Sequence, residues 1–248
     1  MSIKIALSGA NGRMGKSIVK VASCNSEFDI SVKLIKPDYE NTKSNLPNIL
    51  KTIDVFIDFS TTTACLEYLK ICKQLKIPMV IGTTGFTVPQ IKKISNVAKH
   101  IPIMLSPNMS VGANICQYLL ACLSKLLEKN QQAKTTIVIK EVHHKNKRDS
   151  PSGTALRMAD IIKNNFSYHN NIIKFVSNRI GQVKGRHQVN FSNKFEEISI
   201  KHNVKNRSVF AAGSLLAAKW LIKQKSNKLY NFLDIVNFKE ILAKEILF

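Results

Sequence analysis

Hydrophobic positions in the first half of the chain fall into short β-branched runs separated by stretches with helical spacing. Residues 3–8 form the first run, which stops at Gly9. Ile18, Val19, Val21 and Ala22 then recur at helical spacing, and residues 30–35 predict a second strand. Residues 54–59 hold an unbroken apolar run between two acids, as expected of a strand buried on both faces. Cys65, Leu66, Leu69 and Cys72 mark a helix, and residues 78–81 a strand that runs into Gly82, Thr83, Thr84 and Gly85. Pro89 opens a further helix reaching about His100, and residues 101–105 close the series. Alternation of this kind predicts an α/β fold: a Rossmann-like parallel sheet with helices on both faces.

The second half has a different rhythm. A long helical pattern over 112–127 precedes an alternating, β-branched segment at 135–142 and a helix at 155–165. Strands follow at 172–176, 188–192 and 197–201, which predicts a second α+β domain on a mostly antiparallel sheet. Phe210, Gly213, Ala217, Trp220 and Leu221 mark one face of a late helix that rejoins the first domain. The expected division is therefore a dinucleotide-binding domain from 1–110 plus 212–248, and a substrate-binding and oligomerisation domain from 111–211.

Composition narrows the classes. With 37 Lys+Arg against 16 Asp+Glu, the formal charge is +21, which invites a nucleic-acid partner. The basic residues are dispersed, however, with no basic tail or zinc-finger spacing, so the expectation is attraction of small anions and no nucleic-acid role. No apolar run approaches the roughly 20 residues that cross a bilayer. Five cysteines, an odd number without a CxxC, argue for reduced thiols and a cytoplasmic location.

Two segments carry chemistry. Gly9, Ala10, Asn11, Gly12, Arg13, Met14 and Gly15 follow a strand and open a helix, the placement in which backbone N–H groups hold a pyrophosphate. Gly15-Lys16-Ser17 looks like the end of a P-loop, but that motif needs a glycine where Ala10 stands. The second strand lacks the acid that grips the ribose of NAD. Lys36 stands there instead and suits a ribose 2′-phosphate, so NADPH is favoured between NADPH and NADH.

The other segment runs from Glu141 to Ala155. His143 and His144 would point to opposite faces of a continuing strand, and Lys147 follows in a loop. Ser152, Gly153 and Thr154 begin a helix whose free N–H groups can hold a carboxylate. Two imidazoles, an ammonium and an anion-ready helix start suit protonation and binding of a small polycarboxylate. A metal at the histidine pair lacks a third ligand of recognisable spacing.

These motifs occur in order with Asp58-Phe59-Ser60, Gly82-Thr83-Thr84-Gly85-Phe86 and Asn108-Met109-Ser110-Val111-Gly112, and together they resemble the dihydrodipicolinate (4-hydroxy-tetrahydrodipicolinate) reductase family of the diaminopimelate route to lysine. The resemblance implies NADPH or NADH bound by Gly9, Ala10, Asn11, Gly12, Arg13, Met14, Gly82, Thr83, Thr84, Ser106, Pro107, Asn108 and Met109, beside the Lys36 read from the strand end. It implies His143 as proton donor/acceptor and Lys147 as proton donor, with His144, Ser152, Gly153 and Thr154 at a small dicarboxylate. A homotetramer and a hinged cleft are also implied. Against the family pattern, the loop at 167–171 is short, Thr62 and Met109 are unusual, and 237–248 extends past the usual end with the pattern of an added helix. An aspartate dehydrogenase and a semialdehyde dehydrogenase are the rival enzymes. The second needs a nucleophilic cysteine, whereas Cys116 falls in an apolar helical pattern. A regulator that kept the fold and lost the chemistry conflicts with the complete His143, His144, Lys147 and Ser152-Gly153-Thr154 set.

Overall fold

A computed structural model describes residues 1–35, 45–130, 135–166 and 173–236. Lys36, the loop at 167–171 and the segment 237–248 lie outside the described residues. The chain divides into two compact units, Met1–Val111 with Ser208–Phe248, and Gly112–Arg207.

In the first unit β1 (Ile3–Ser8), β2 (Phe28–Leu34), β3 (Val55–Asp58), β4 (Met79–Ile81), β5 (Ile103–Leu105) and β10 (Leu229–Tyr230) form one parallel sheet in the order β10-β5-β4-β3-β1-β2. The central β3 and β4 are buried at every residue, while β2, at the edge, alternates. That contrast follows from position, since only a strand with neighbours on both sides and helices on both faces loses its polar positions. Strand periodicity sorts the core into two layers. Ile5, Leu7, Val55, Ile57, Val80 and Met104 face α1 (Arg13–Ala22) and the late helix α7 (Ser208–Leu221). Ala6, Phe56, Met79, Ile81 and Ile103 face α3 (Thr62–Leu75) and α4 (Val88–Val97). Two short helices, α2 (Leu46–Leu50) and α8 (Leu233–Val236), complete the unit.

The late helix packs in the first unit with Gly213, Ala217 and Leu221 of the expected face buried, but its inner face is broader than expected and Phe210 and Trp220 lie at its margin. Ala211, Ser214, Leu215, Ala218 and Leu221 are buried with Gly213 and Ala217, while Phe210 and Trp220 stay half-buried. Small residues let α7 approach closely; a Cβ on Gly213 would overlap the Met109 carbonyl. Trp220 instead stacks edge-on to Tyr230 at 5.0 Å.

In the second unit β6 (Thr136–His143), β7 (Ile173–Arg179), β8 (Arg186–Ser192) and β9 (Glu197–Asn203) are ordered β7-β6-β8-β9. β8 runs antiparallel to β6 and β9, and β7 runs parallel to β6 through the crossover helix α6 (Gly153–Lys163). Ile137, Ile139, Val189 and Phe191 pack under α6 and Leu120 of α5 (Val111–Lys129).

Candidate active site

At the carboxyl edge of the parallel sheet the chain leaves β1 through Gly9, whose φ is +76°. A Cβ there would lie 2.1 Å from the Phe59 carbonyl oxygen, so the turn closes against the end of β3 only with glycine. Gly12 caps α1 with no side chain, and the first turn carries no acid. The N–H groups at this helix start are thus open to an anion. A cavity of about 600 Å³ lies here, walled by Gly9, Asn11 and Gly12, by Leu34 and Ile35 at the end of β2, and by Ser60, Thr61 and residues of α3 that include Ala64 and Tyr68. Its size, its backbone-lined glycine turn and its place at the strand ends fit a dinucleotide.

Beyond the cavity, Gly82–Thr84 and Ser106–Met109 follow β4 and β5 along the same edge. The Ser106 hydroxyl donates to the Asn108 carbonyl at 2.8 Å, and the Asn108 side chain accepts from Ser110 N–H at 2.9 Å. Met109 is a buried core residue. Thr83 is held by Asp58: its hydroxyl donates to that carboxylate and accepts from Ser60 N–H at 2.9 Å, while the Ser60 hydroxyl donates to Asp58 at 2.6 Å. Burial raises the pKa of Asp58 against these hydrogen bonds, which lower it. One buried carboxylate therefore fixes the loops that follow β3 and β4.

In the second unit, alternation along β6 places Ile137, Ile139, Glu141 and His143 on the buried face, so the core stripe turns polar at its carboxyl end. Glu141 is fully buried. Its Oε1 accepts from Ser152 N–H at 3.1 Å and from Arg179 Nη2 at 2.9 Å. Its Oε2 lies 3.0 Å from His143 Nδ1, at ion-pair distance but with the N–H off the hydrogen-bond line. His187 Nε2 lies 3.8 Å from the same oxygen and 3.0 Å from the Ser152 hydroxyl. Burial works against the charge on Glu141, but the bonds from Ser152 and Arg179 outweigh it and bring the carboxyl down to about 2. Burial lowers the pKa of His143; Glu141 opposes that fall, and Lys147 and Arg179 add to it.

Among the described residues, His143 and His144 do not form a shared donor set; Glu141, His143 and His187 instead offer donor atoms within 4.8 Å of one another. Arg179 already supplies the counter-charge to that carboxylate, so the cluster is balanced by a fixed cation of the chain itself. Gly185, with φ of +156°, passes His143 so closely that a Cβ would lie 3.3 Å from Nε2.

After β6, Lys145 N–H bonds the Gly181 carbonyl and Lys147 N–H the His144 carbonyl. Lys147 Nζ meets both oxygens of Asp149, at 2.8 and 2.9 Å, and this pairing lowers the Asp149 pKa first among its causes. Ser152 caps α6 through Ala155 N–H, and its hydroxyl also meets His187, so this buried side chain is engaged within the fold. Gly153 is exposed and Thr154 half-buried at the helix start; His144, half-buried, follows the end of β6.

The structure thus brings His143, Lys147 and the α6 start into one region of the second unit. Gly9, Asn11 and Gly12 line the cavity of the first. Sequence reasoning missed Arg179, Gly185 and His187, quoted Asp58 in a motif without giving it a role, and passed over Glu141 although it shares the strand phase of His143.

His187 makes the fold sensitive to acid. Burial first, then the nearby His143, moves its pKa from 6.5 to about 4. Between those values the unfolded chain binds the proton more strongly, so stability is full above 6.5 and is lost as pH falls toward 4. Unfolding in urea is expected to cost on the order of 2 kcal/mol less at pH 5 than at pH 7 through this group. His187→Gln should flatten that slope; an unchanged slope would contradict the assignment.

The parallel sheet with its glycine turn and edge cavity defines a dinucleotide-binding, Rossmann-like protein. Residues 3–109 match the family model described as dihydrodipicolinate reductase, N-terminus, and residues 112–236 the model of its C-terminus. The chain belongs to the dihydrodipicolinate reductase family.

Among its relatives, the 4-hydroxy-tetrahydrodipicolinate reductase of Buchnera aphidicola subsp. Cinara cedri is 40% identical, over 94% of this chain and 96% of that one. The protein of the same name from Pelagibacter ubique is 36% identical, over 96% and 99%. The solved structure of a dipicolinate-bound dihydrodipicolinate reductase from Paenisporosarcina sp. TG-14 shares the fold, with a TM-score of 0.78 at 24% identity over 93% and 98% of the two chains.

Proposed function

We propose that this protein reduces 4-hydroxy-tetrahydrodipicolinate to tetrahydrodipicolinate with NADPH or NADH, in diaminopimelate and lysine biosynthesis. The observation that carries the reading is family membership across both halves of the chain, and the presence of His143, Lys147 and Gly153-Thr154 in this sequence supports it. Gly9 to Met14 would hold the pyrophosphate, and Gly82–Thr84 with Ser106–Met109 would line the rest of the dinucleotide. Bound there, NAD(P)H supplies a hydride to ring C4. His144, the Gly153 N–H and Thr154 bind the dicarboxylate. The ring loses water, C4 gains the hydride, and the enamine left behind takes a proton. Lys147 donates that proton, its charge favouring the electron-rich ring, and His143 exchanges protons as donor/acceptor.

The enzyme works in the cytoplasm as a homotetramer. Leu119, Leu126, Val176 and Phe195 supply exposed apolar surface in the second unit that assembly would cover. No helix among the described residues is long and apolar enough to cross a membrane. The test mixes pyruvate, aspartate semialdehyde, dihydrodipicolinate synthase and this protein, and follows oxidation of NADPH and NADH in turn. Oxidation that depends on this protein is expected; none with either cofactor would overturn the reading.

A further inference from the structure

Once His143 and Lys147 have roles, Glu141 and Arg179 remain as charged groups that the reaction does not use directly. A fully buried carboxylate is costly unless donors surround it, so its position is tightly specified. Arg179 Nη2 donates to Glu141 Oε1 and also to the main-chain carbonyl of Asp149, whose carboxylate clamps Lys147 Nζ. One guanidinium therefore ties the carboxylate beside His143 to the residue that holds Lys147. On the far side of the imidazole, Gly185 leaves no side chain against Nε2.

We infer that Glu141 and Arg179 are positioning residues for the reduction. Glu141 holds its carboxylate 3.0 Å from His143 Nδ1 and so sets the charge and position of the imidazole, and Arg179 holds that carboxylate and the Lys147–Asp149 loop in one frame. The reaction assigned here rests on the proposed function, while the linkage itself rests on the contacts just described.

A purely structural ion pair would alter stability and shift the His143 titration by its charge alone. The readout that separates a positioning role is therefore a fall in kcat with the cofactor KM kept, above all in Arg179→Lys, where the charge is unchanged. The charges acting on His143 are Glu141 on β6, Arg179 on β7, and Lys147 and Asp149 in the following loop. His187 on β8 meets it edge-on at 4.9 Å, and His202 on β9 acts on His187. Removing the negative neighbour makes protonation harder, and removing the positive one makes it easier.

The experiment follows the His143 imidazole by NMR across pH in the full-length protein, beside the pH profile of kcat. Glu141→Gln should move the titration to lower pH, lower kcat about 100-fold and leave the cofactor KM within about twofold. Arg179→Gln should move the titration to higher pH. Arg179→Lys, which keeps the charge but loses the two-way fork, should leave the titration near its original place while kcat falls about 10-fold. Shifts of the same sign in both neutral variants, or kcat within threefold in Glu141→Gln, would overturn the inference. Should Arg179→Gln fail to fold, the sign in Glu141→Gln and the split in Arg179→Lys decide. If the unaltered protein shows no reductase turnover, the proposed reaction fails, and the His143 titration still decides whether the linkage exists.

Discussion

Lys147→Ala lowers kcat by about three orders of magnitude and leaves the dissociation constant for NADPH or NADH within about twofold. Two losses combine at this position. The proton for the enamine disappears, and so does the fixed positive charge beside a doubly anionic substrate. The Lys147 ammonium is held by both oxygens of Asp149 at 2.8 and 2.9 Å, which limits its search for a productive geometry. Alanine would also leave Asp149 as an uncompensated anion near the carboxylate site, adding repulsion to the missing attraction. The cofactor loops belong to the other unit, so nucleotide affinity provides an internal control. Stopped-flow turnover with fluorescence titration of the cofactor separates the two quantities. A kcat within tenfold of the unaltered protein would remove Lys147 from the chemistry.

Gly9→Ala is expected to raise the cofactor KM at least about 100-fold, with a stability loss on the order of 3 kcal/mol. The new methyl would lie 2.1 Å from the Phe59 carbonyl oxygen and 2.7 Å from its carbon, in a backbone conformation with φ of +76°. Both obstacles are backbone atoms at the end of β3, so no rotamer change relieves them. Relief requires the turn to move away from β3, and with it the N–H groups that face the cavity. Gly85→Ala is the matched control, because its φ is +87° but nothing lies within 4 Å of the added carbon. That variant should lose only about 1 kcal/mol and keep its cofactor KM. Equal effects in the two variants, measured by urea unfolding and initial rates, would contradict the steric account.

The parts of the fold legible in the sequence are those where burial imposes a period. β3 and β4 read as continuous apolar runs because helices cover both faces, and β6 alternates because only one face is covered by α5 and α6. β10 was not legible: two residues leave no period, and Leu229–Tyr230 is a strand only through pairing with β5. The late helix was legible at Gly213, Ala217 and Leu221 but not across its whole inner face, for a related reason. Alanines and a serine bury as readily as large residues where helices approach closely, so Phe210 and Trp220 were poor guides to its inner face.

The site divides in the same way. His143, Lys147 and the α6 start are close in sequence and form a local motif. His187 reaches Glu141 through the antiparallel register of β6 with β8, in which the two are direct partners. Arg179 arrives through the parallel register of β6 with β7, opposite His143. Neither pairing has a signature in spacing. Glu141 did have one, since it lies two residues before His143 on a strand whose earlier positions in that phase are isoleucines. A carboxylate on a core-facing stripe demands a buried partner, and that demand was the available clue. The +21 charge, by contrast, was general evidence, and the few residues that fix Glu141, Asp58 and Asp149 are the specific part.

This chain is expected to deliver a hydride from a nicotinamide to C4 of the substrate ring derived from 4-hydroxy-tetrahydrodipicolinate. The most direct measurement uses NADH or NADPH deuterated at the transferring position of nicotinamide C4, with substrate generated in place, and locates the label in the product by NMR. One deuterium at C4 of tetrahydrodipicolinate, dependent on the protein, is the predicted result. Product without label at C4, or no product with either cofactor, would contradict the account.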